Sequence, residues 1–399
     1  MRVLELFAGY GSQALALENL GIDFTSDISE IDKYAIQAYN QLHGETHNWG
    51  DITKIDETKL PYYDFITYSS PCQDFSVAGL QRGGDKDSGT RSSLLWECER
   101  IIRAVKPKYL LMENVKNLVG EKHKHNFIQW LKVLESMGYK NWWKVLNAKD
   151  YGVPQNRERV FVVSILGGTE YLFPNPIKLK KRLKDILEPV VDEKYYLSSK
   201  LIEGFMRRIE RNDSGFAREI NIRDKDNIAS ALTARMAKCG VTDNYIQEPI
   251  AVASRGRENG QELELNESGC SNALTSVQKD NLVAEPSIIE EPYNLYPNSG
   301  NPQAGRVYNP NGISPAMDTC SGGNRMPKIT ESYRIRKLTP RECWRLMGVK
   351  DEQFDKLHGI SNSQLYKLAG NSIVVDVLMG IFRNLLVSDE GTKGQLTLL

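Results

Sequence analysis

At 399 residues the chain exceeds what one hydrophobic core usually serves, so two domains are expected. Its 40% hydrophobic and 26% charged content is ordinary for a globular protein, and with no run of about 18 apolar residues no membrane span is expected. The 51 basic and 51 acidic residues balance to zero net charge, so a nucleic-acid surface would require Lys and Arg segregated onto one face.

The N-terminal Met1-Arg2-Val3-Leu4-Glu5-Leu6 carries charge inside a short apolar stretch and reads as a buried strand, not a signal peptide. The six cysteines are scattered without a CxxC pair, which disfavours a disulfide framework or a zinc site and fits a reducing, cytoplasmic setting. His43 and His47 stand at i, i+4 without the glutamate of a metalloprotease helix, so no metal is expected.

Residues 1–170 alternate short apolar runs with helical patterns. Strands are predicted at 3–7, 24–28, 63–68, 109–112 and 160–165, and helices at 14–20, 94–105 and 127–137. This alternation predicts a parallel α/β sheet, whose ligands sit at the carboxyl ends of the strands. From 171 to 332 the texture turns polar. Ile228-Ala229-Ser230-Ala231-Leu232-Thr233 returns weakly at 270–275 and 313–319, suggesting a small strand-turn unit used three times. After 333 the chain becomes compact again. Thr339 reads as the N-cap of a helix with Pro340 at its first position, and a second helix over 365–378 is interrupted by Gly370-Asn371-Ser372. The expected division is therefore 1–170, 171–332 and a returning segment at 333–399.

Phe7-Ala8-Gly9-Tyr10-Gly11-Ser12 follows the first strand and opens a helix, with Gly9 and Gly11 permitting a tight turn and close ligand approach. Glu30 closes the second strand, where an acid binds ribose hydroxyls. Asp51 falls where a third strand would end, and a carboxylate there can accept from an adenine amino group. No phosphate-binding Gly-Lys-Ser/Thr is present, so the set suits an adenosine ligand without phosphates and points toward S-adenosylmethionine.

Pro71-Cys72-Gln73 comes at the end of another strand, a place for a reactive thiolate. The polar, glycine-bearing stretch 76–91 reads as a lid that closes on substrate. Glu113 ends the strand 109–112, and a carboxyl of raised pKa there could protonate or hold N3 of a cytosine. Arg157 and Arg159, at i, i+2 on an extended segment, point the same way and could contact phosphate or the base carbonyl, or orient Glu113.

Phe7-Ala8-Gly9-Tyr10-Gly11, Pro71-Cys72-Gln73, Glu113-Asn114-Val115, Gln155-Asn156-Arg157-Glu158-Arg159, the stretch 336–342 and Gly370-Asn371-Ser372 occur in the order found in the cytosine-C5 DNA methyltransferases of bacteria and their phages, which the chain resembles. The resemblance implies a Rossmann-like S-adenosylmethionine-dependent sheet with a smaller, mostly irregular or β target-recognition domain at 171–332. It implies that Phe7 stacks near the adenine, Glu30 holds the ribose and Asp51 holds the adenine amino group. Gly9, Gly11, Ile31, Ile52, Pro71, Asn371 and Ser372 complete the expected cofactor-binding set. Cys72, Glu113, Arg157 and Arg159 form the expected catalytic set, and Gln73, Ser76, Gln81, Arg82 and Arg91 the expected substrate-binding set. Against the family pattern, Ser12 stands where glycine is common and Ser92 where some members carry glycine.

The implied reaction flips a cytosine out of duplex DNA, adds Cys72 to C6 and methylates C5. Double-stranded DNA is the expected partner, the protein a monomer, and a separate restriction endonuclease a compatible companion. Arg218, Arg223, Arg235, Arg255, Arg257, Arg306 and Arg325 are candidate base or phosphate readers. The alternatives are an RNA (tRNA) cytosine-C5 methyltransferase on the same scaffold and an inactive DNA-binding relative. A zinc deaminase is disfavoured because Phe75 stands where its second cysteine would be.

Overall fold

The computed structural model describes residues 1–70, 94–168, 170–196 and 333–387, with 222–223, 228–232, 245–249, 251–257, 260–266, 281–283, 293–294, 306–308 and 328–329 between them. The chain divides into two compact units. The first comprises Met1–Pro189, Lys225–Asn244 and Thr339–Leu399, and the second Val190–Asp224 and Tyr245–Leu338.

The first unit is built on β1 (Arg2–Leu6), α1 (Ser12–Asn19), β2 (Thr25–Ser29), α2 (Lys33–His43), β3 (Phe65–Tyr68), α3 (Leu95–Val105), β4 (Tyr109–Val115), α4 (Lys124–Ser136), β5 (Tyr139–Asn147), β6 (Gln155–Asn156) and β7 (Glu158–Leu166). Six strands form one sheet in the order β2-β1-β3-β4-β7-β5. β2, β1, β3 and β4 run parallel, and the chain switches direction across the sheet at β1. Ligands gather outside the strand ends at such a switch point.

The sheet is mixed, not wholly parallel as the alternation predicts: β7 pairs antiparallel with both β4 and β5. The reason is the connection. Only a 3-10 turn (Ala148–Tyr151) and β6 separate β5 from β7, and without a crossover helix a strand returns antiparallel. β5 itself was not read from the sequence. Its Lys-Asn-Trp-Trp-Lys stretch lacks hydrophobic alternation, and most of the strand is only partly buried or exposed.

Buried residues of β1, β3 and β4 pack with α3 and α4 into the main core, which includes Leu4, Ile66, Ile101, Leu110, Trp130 and Leu134. The compact end of the chain supplies α5 (Pro340–Arg345), α6 (Asp351–Phe354), α7 (Asn362–Asn371) and α8 (Val375–Phe382). Thr339 caps α5 in a capping box with Glu342, and Pro340 takes the first turn. The run Asn362–Val387 is long and apolar enough to cross a membrane by composition. It is broken between α7 and α8, and α8 buries Val375, Leu378, Ile381 and Phe382 inside the unit, with the Phe382 ring edge-on to Phe65 of β3.

The second unit contains β8 (Ile222–Arg223), β10 (Tyr245–Pro249), β11 (Ala251–Arg257), β12 (Gly260–Asn266), β13 (Asn281–Val283), β14 (Tyr293–Asn294), β15 (Arg306–Tyr308), β16 (Lys328–Ile329) and β17 (Tyr333–Lys337). They form three small sheets, β17-β10-β8, β12-β11-β13 and β14-β15-β16.

The units do not follow the boundaries expected at 170 and 332. Residues 171–189 stay with the first unit, and so does 225–244. The latter is held there by β9 (Ala229–Ser230), which pairs with β6, while Ala229 and Leu232 are buried. Thus the first copy of the 228–233 motif is part of the first unit. The copies at 270–275 and 313–319 lie outside the described residues.

Candidate active site

The strand-to-helix turn after β1 is tightly constrained. Phe7 (φ 58°), Gly9 (φ 59°) and Gly11 (φ 81°) all take the left-handed backbone, which is uncommon for a phenylalanine and marks a constrained site. Phe7 N–H donates to Ser29 O at 2.8 Å, fixing the turn against the end of β2. The two glycines serve different ends. A Cβ at Gly9 would meet nothing within 4 Å, so open space faces the turn there. A Cβ at Gly11 would fall 2.5 Å from His43 Nε2 and 2.6 Å from Tyr39 Cε2. Gly11 does not line the pocket; the contact that demands glycine there is with α2.

Tyr39 is held in turn by a buried network: its hydroxyl donates to Glu5 Oε1 at 2.7 Å, and burial pushes the Glu5 carboxyl up to about 7. We expect Gly11→Ala to destabilise the protein by about 2–5 kcal/mol, combining left-handed strain with overpacking. A fall of roughly 5–15 °C in the thermal midpoint should follow by circular dichroism. Gly9→Ala should cost only the strain component. Equal losses in the two variants would contradict the assignment of Gly11 to packing.

Next to the turn, Glu30 is rigidly placed. Its Oε2 accepts from Gly9 N–H at 2.9 Å, and its Oε1 accepts from the N–H groups of Ile31 and Asp32, each at 2.8 Å. Asn48 locks this corner to the next loop, its Oδ1 accepting from Glu30 N–H and Gly50 N–H. Asp51 is not at a strand end. The chain there makes one parallel bridge, Ile28 to Asn48, and Asp51 instead caps the 3-10 turn Ile52–Lys54. Hydrogen bonds from the Thr53 N–H and hydroxyl hold its carboxyl below the ordinary range, so it is an acceptor at neutral pH.

Glu113 lies on the inner strand β4, with its side chain 10% exposed, and Arg159 Nε stands 3.2 Å from its Oε1. Burial pushes the Glu113 carboxyl above its ordinary value, while Arg159, Arg157 and the Ser69 hydroxyl oppose that rise. The neighbouring Asn114 donates from Nδ2 to Ser70 O at 3.2 Å, tying β4 to the end of β3.

The two arginines have separate roles. Arg159 pairs with Glu113. Arg157 spends its guanidinium on carbonyls, those of Leu232 (3.1 Å), Gly370 (3.0 Å) and Ser372 (2.6 Å). Gln155 does similar work, donating to Leu346 O and accepting from Leu232 N–H. The 155–159 stretch therefore clasps three distant segments of the first unit as well as supplying Arg159.

These groups line one cavity of about 590 Å³, within the size range of small-molecule sites. Of the expected cofactor set, Phe7, Gly9, Glu30, Ile31, Asp51, Ile52, Asn371 and Ser372 line it; Glu113, Arg157 and Arg159 do so too. Pro71, Cys72, Gln73, Ser76, Gln81, Arg82 and Arg91 lie outside the described residues. The chain leaves the described residues after Ser70 and re-enters at Leu94, and both of these line the cavity. Asn48 and Ser69 were not among the expected site residues, and Gln155 was noted only as the first residue of the 155–159 stretch. Only the polar pair Ser69-Ser70 just before Pro71-Cys72 offered a signal.

The cavity fits an adenosine-bearing sulfonium. Ordered carboxylates at Glu30 and Asp51 are acceptors suited to ribose hydroxyls and an amino group, and the space at Gly9 admits a ligand against the backbone. A sheet with a switch point at β1 and this pocket at its strand ends defines a Rossmann-like S-adenosylmethionine-dependent methyltransferase.

The sequence model of the C-5 cytosine-specific DNA methylase family matches residues 1–386, and the chain belongs to that family. It is a DNA (cytosine-5-)-methyltransferase that uses S-adenosylmethionine. Its relatives include the type II methyltransferase M2.ScrFI of Lactococcus lactis subsp. cremoris, 36% identical over 97% of this chain and 99% of that one. Another is the orphan methyltransferase M.SPRI of Bacillus phage SPR, 32% identical over 97% of both chains. Among solved structures, the Entamoeba histolytica methyltransferase EhMeth is similar in fold, with a TM-score of 0.65 at 17% identity, covering 98% of this chain and 99% of that one. The S. pombe Dnmt2 methyltransferase has a TM-score of 0.61 at 19% identity, covering 98% and 100%.

Proposed function

We propose that the protein methylates one cytosine within a short specific duplex sequence through a covalent Cys72 adduct. The observation that carries this is the single cavity in which the Glu30 and Asp51 wall meets the Glu113–Arg159 pair. Glu30 and Asp51 hold the ribose and adenine of the cofactor, with Phe7, Gly9, Ile31, Ile52, Pro71, Asn371 and Ser372 around them. When bound, S-adenosylmethionine supplies an electrophilic methyl group for C5.

A cytosine's C5 and C6 cannot be reached inside the stack, so the base is flipped out. The Cys72 thiolate forms a bond to C6, and the electron pair displaced from the C5–C6 double bond gives C5 carbanion character as Glu113 delivers a proton to N3. Arg159 keeps Glu113 oriented. After methylation, a base removes the C5 proton, the double bond reforms, the S–C6 bond breaks to release the Cys72 thiolate, and N3 returns its proton to Glu113. Gln73, Ser76, Gln81, Arg82 and Arg91 contact the DNA, and the second unit reads the flanking sequence, with Arg223, Arg255, Arg257 and Arg306 on its strands as candidates.

The relatives' type II and orphan names favour a role in restriction-modification or phage self-protection, by a cytoplasmic monomer acting apart from any endonuclease. Bisulfite sequencing of DNA from an expressing host tests this directly. We expect protected cytosines at one recurring sequence. Scattered protection, or methyl transfer to tRNA in preference to duplex DNA, would overturn it.

A further inference from the structure

Ser69 follows β3, and the parallel register Tyr68 to Met112 sets it beside Glu113 on the adjacent strand. Both residues line the cavity. On the other side of β4, the register sets Arg159 beside Val115, from where its guanidinium reaches Glu113. The carboxyl is thus flanked by a cation on one strand and a hydroxyl on the other. Ser70 is already engaged by Asn114, whereas Ser69 Oγ is closed to solvent and its hydroxyl acts on the Glu113 carboxyl. A hydroxyl both donates and accepts, and its proton turns freely.

We propose that Ser69 is a positioning residue for Glu113: its hydroxyl donates to the carboxylate and accepts from the carboxylic acid, keeping the carboxyl aimed at the base as it loses and regains its proton. This rests on the reading of Glu113 as the acid. The charged groups facing Glu113 among the described residues are Arg159 and Arg157, and Ser69 is the uncharged influence that acts with them in favour of the ionised form. Removing the hydroxyl therefore lets Glu113 keep its proton to higher pH.

The test is the pH profile of methyl transfer to duplex DNA by the full chain. Ser69→Ala should lower kcat about tenfold with little change in KM for DNA, and move the alkaline limb up by roughly half a unit or more. Ser69→Thr should restore both, and Ser69→Gly, which adds no bulk, repeats the loss should Ser69→Ala fold poorly. An alkaline limb that stays in place without the hydroxyl overturns the proposal. Glu113→Gln separates the two readings. If the limb disappears in Glu113→Gln yet stays unmoved in Ser69→Ala, Ser69 alone is refuted. If it persists in Glu113→Gln, the assignment of Glu113 falls and that of Ser69 with it.

Discussion

Cys72→Ser should reduce methyl transfer by ~10⁴-fold or more, the scale on which loss of a covalent nucleophile acts in other enzymes. A serine hydroxyl has nearly the size of the thiol but stays protonated at neutral pH, so it lacks the anionic form that attacks carbon. The residues just before it, Ser69 and Ser70, carry only hydroxyls and cannot replace it. Because the substitution changes one atom, DNA affinity in a gel-shift titration should stay close to that of the parent. Transfer of labelled methyl at an undiminished rate would sink the assignment of Cys72. Loss of DNA binding together with activity would point to a folding defect.

The second large effect is expected at Glu113. Glu113→Gln keeps the shape and one acceptor but cannot deliver a proton to N3, so kcat should fall by about 10²–10⁴-fold, or roughly 3–5 kcal/mol of barrier. The pH dependence follows from burial. A buried carboxyl above its ordinary value retains its proton closer to neutrality, and the acid form is the active one. Activity should therefore decline as pH rises through the Glu113 value, and this alkaline limb should be missing in Glu113→Gln. Single-turnover measurements from acid to alkaline pH check it. A parent profile whose alkaline limb is shared by Glu113→Gln would contradict proton delivery by Glu113.

Much of the site could be read from the sequence because its chemistry sits where strands stop. Phe7 and Glu113 each follow a short apolar run and Glu30 follows the strand β2, and such ends converge at a switch point. Asp51 was also singled out, yet the third strand imagined for it does not exist, since its loop needs only the Ile28 bridge and the Asn48 side chain to hold its place. Other features depend on partners far away in the chain. Arg157 reads as chemistry beside Arg159, but its acceptors stand 75, 213 and 215 residues distant, and no local pattern announces them. The same holds for 225–244, polar in texture and fastened to the first unit by a two-residue strand. Gly11 looked like a ligand-facing glycine because its clash with Tyr39 and His43 arises only once α2 has folded back.

The clasp at Arg157 bears on how the protein comes into being. Leu368, Asn371 and Ser372 line the same cavity as Phe7 and Glu30, and two of the three carbonyls held by Arg157 belong to Gly370 and Ser372. Those residues are made after all six strands of the main sheet. The parallel strands β1–β4 can assemble early in synthesis, but the cofactor chamber acquires its last wall only afterwards. A chain that stops before residue 367 would therefore carry the sheet without a completed chamber.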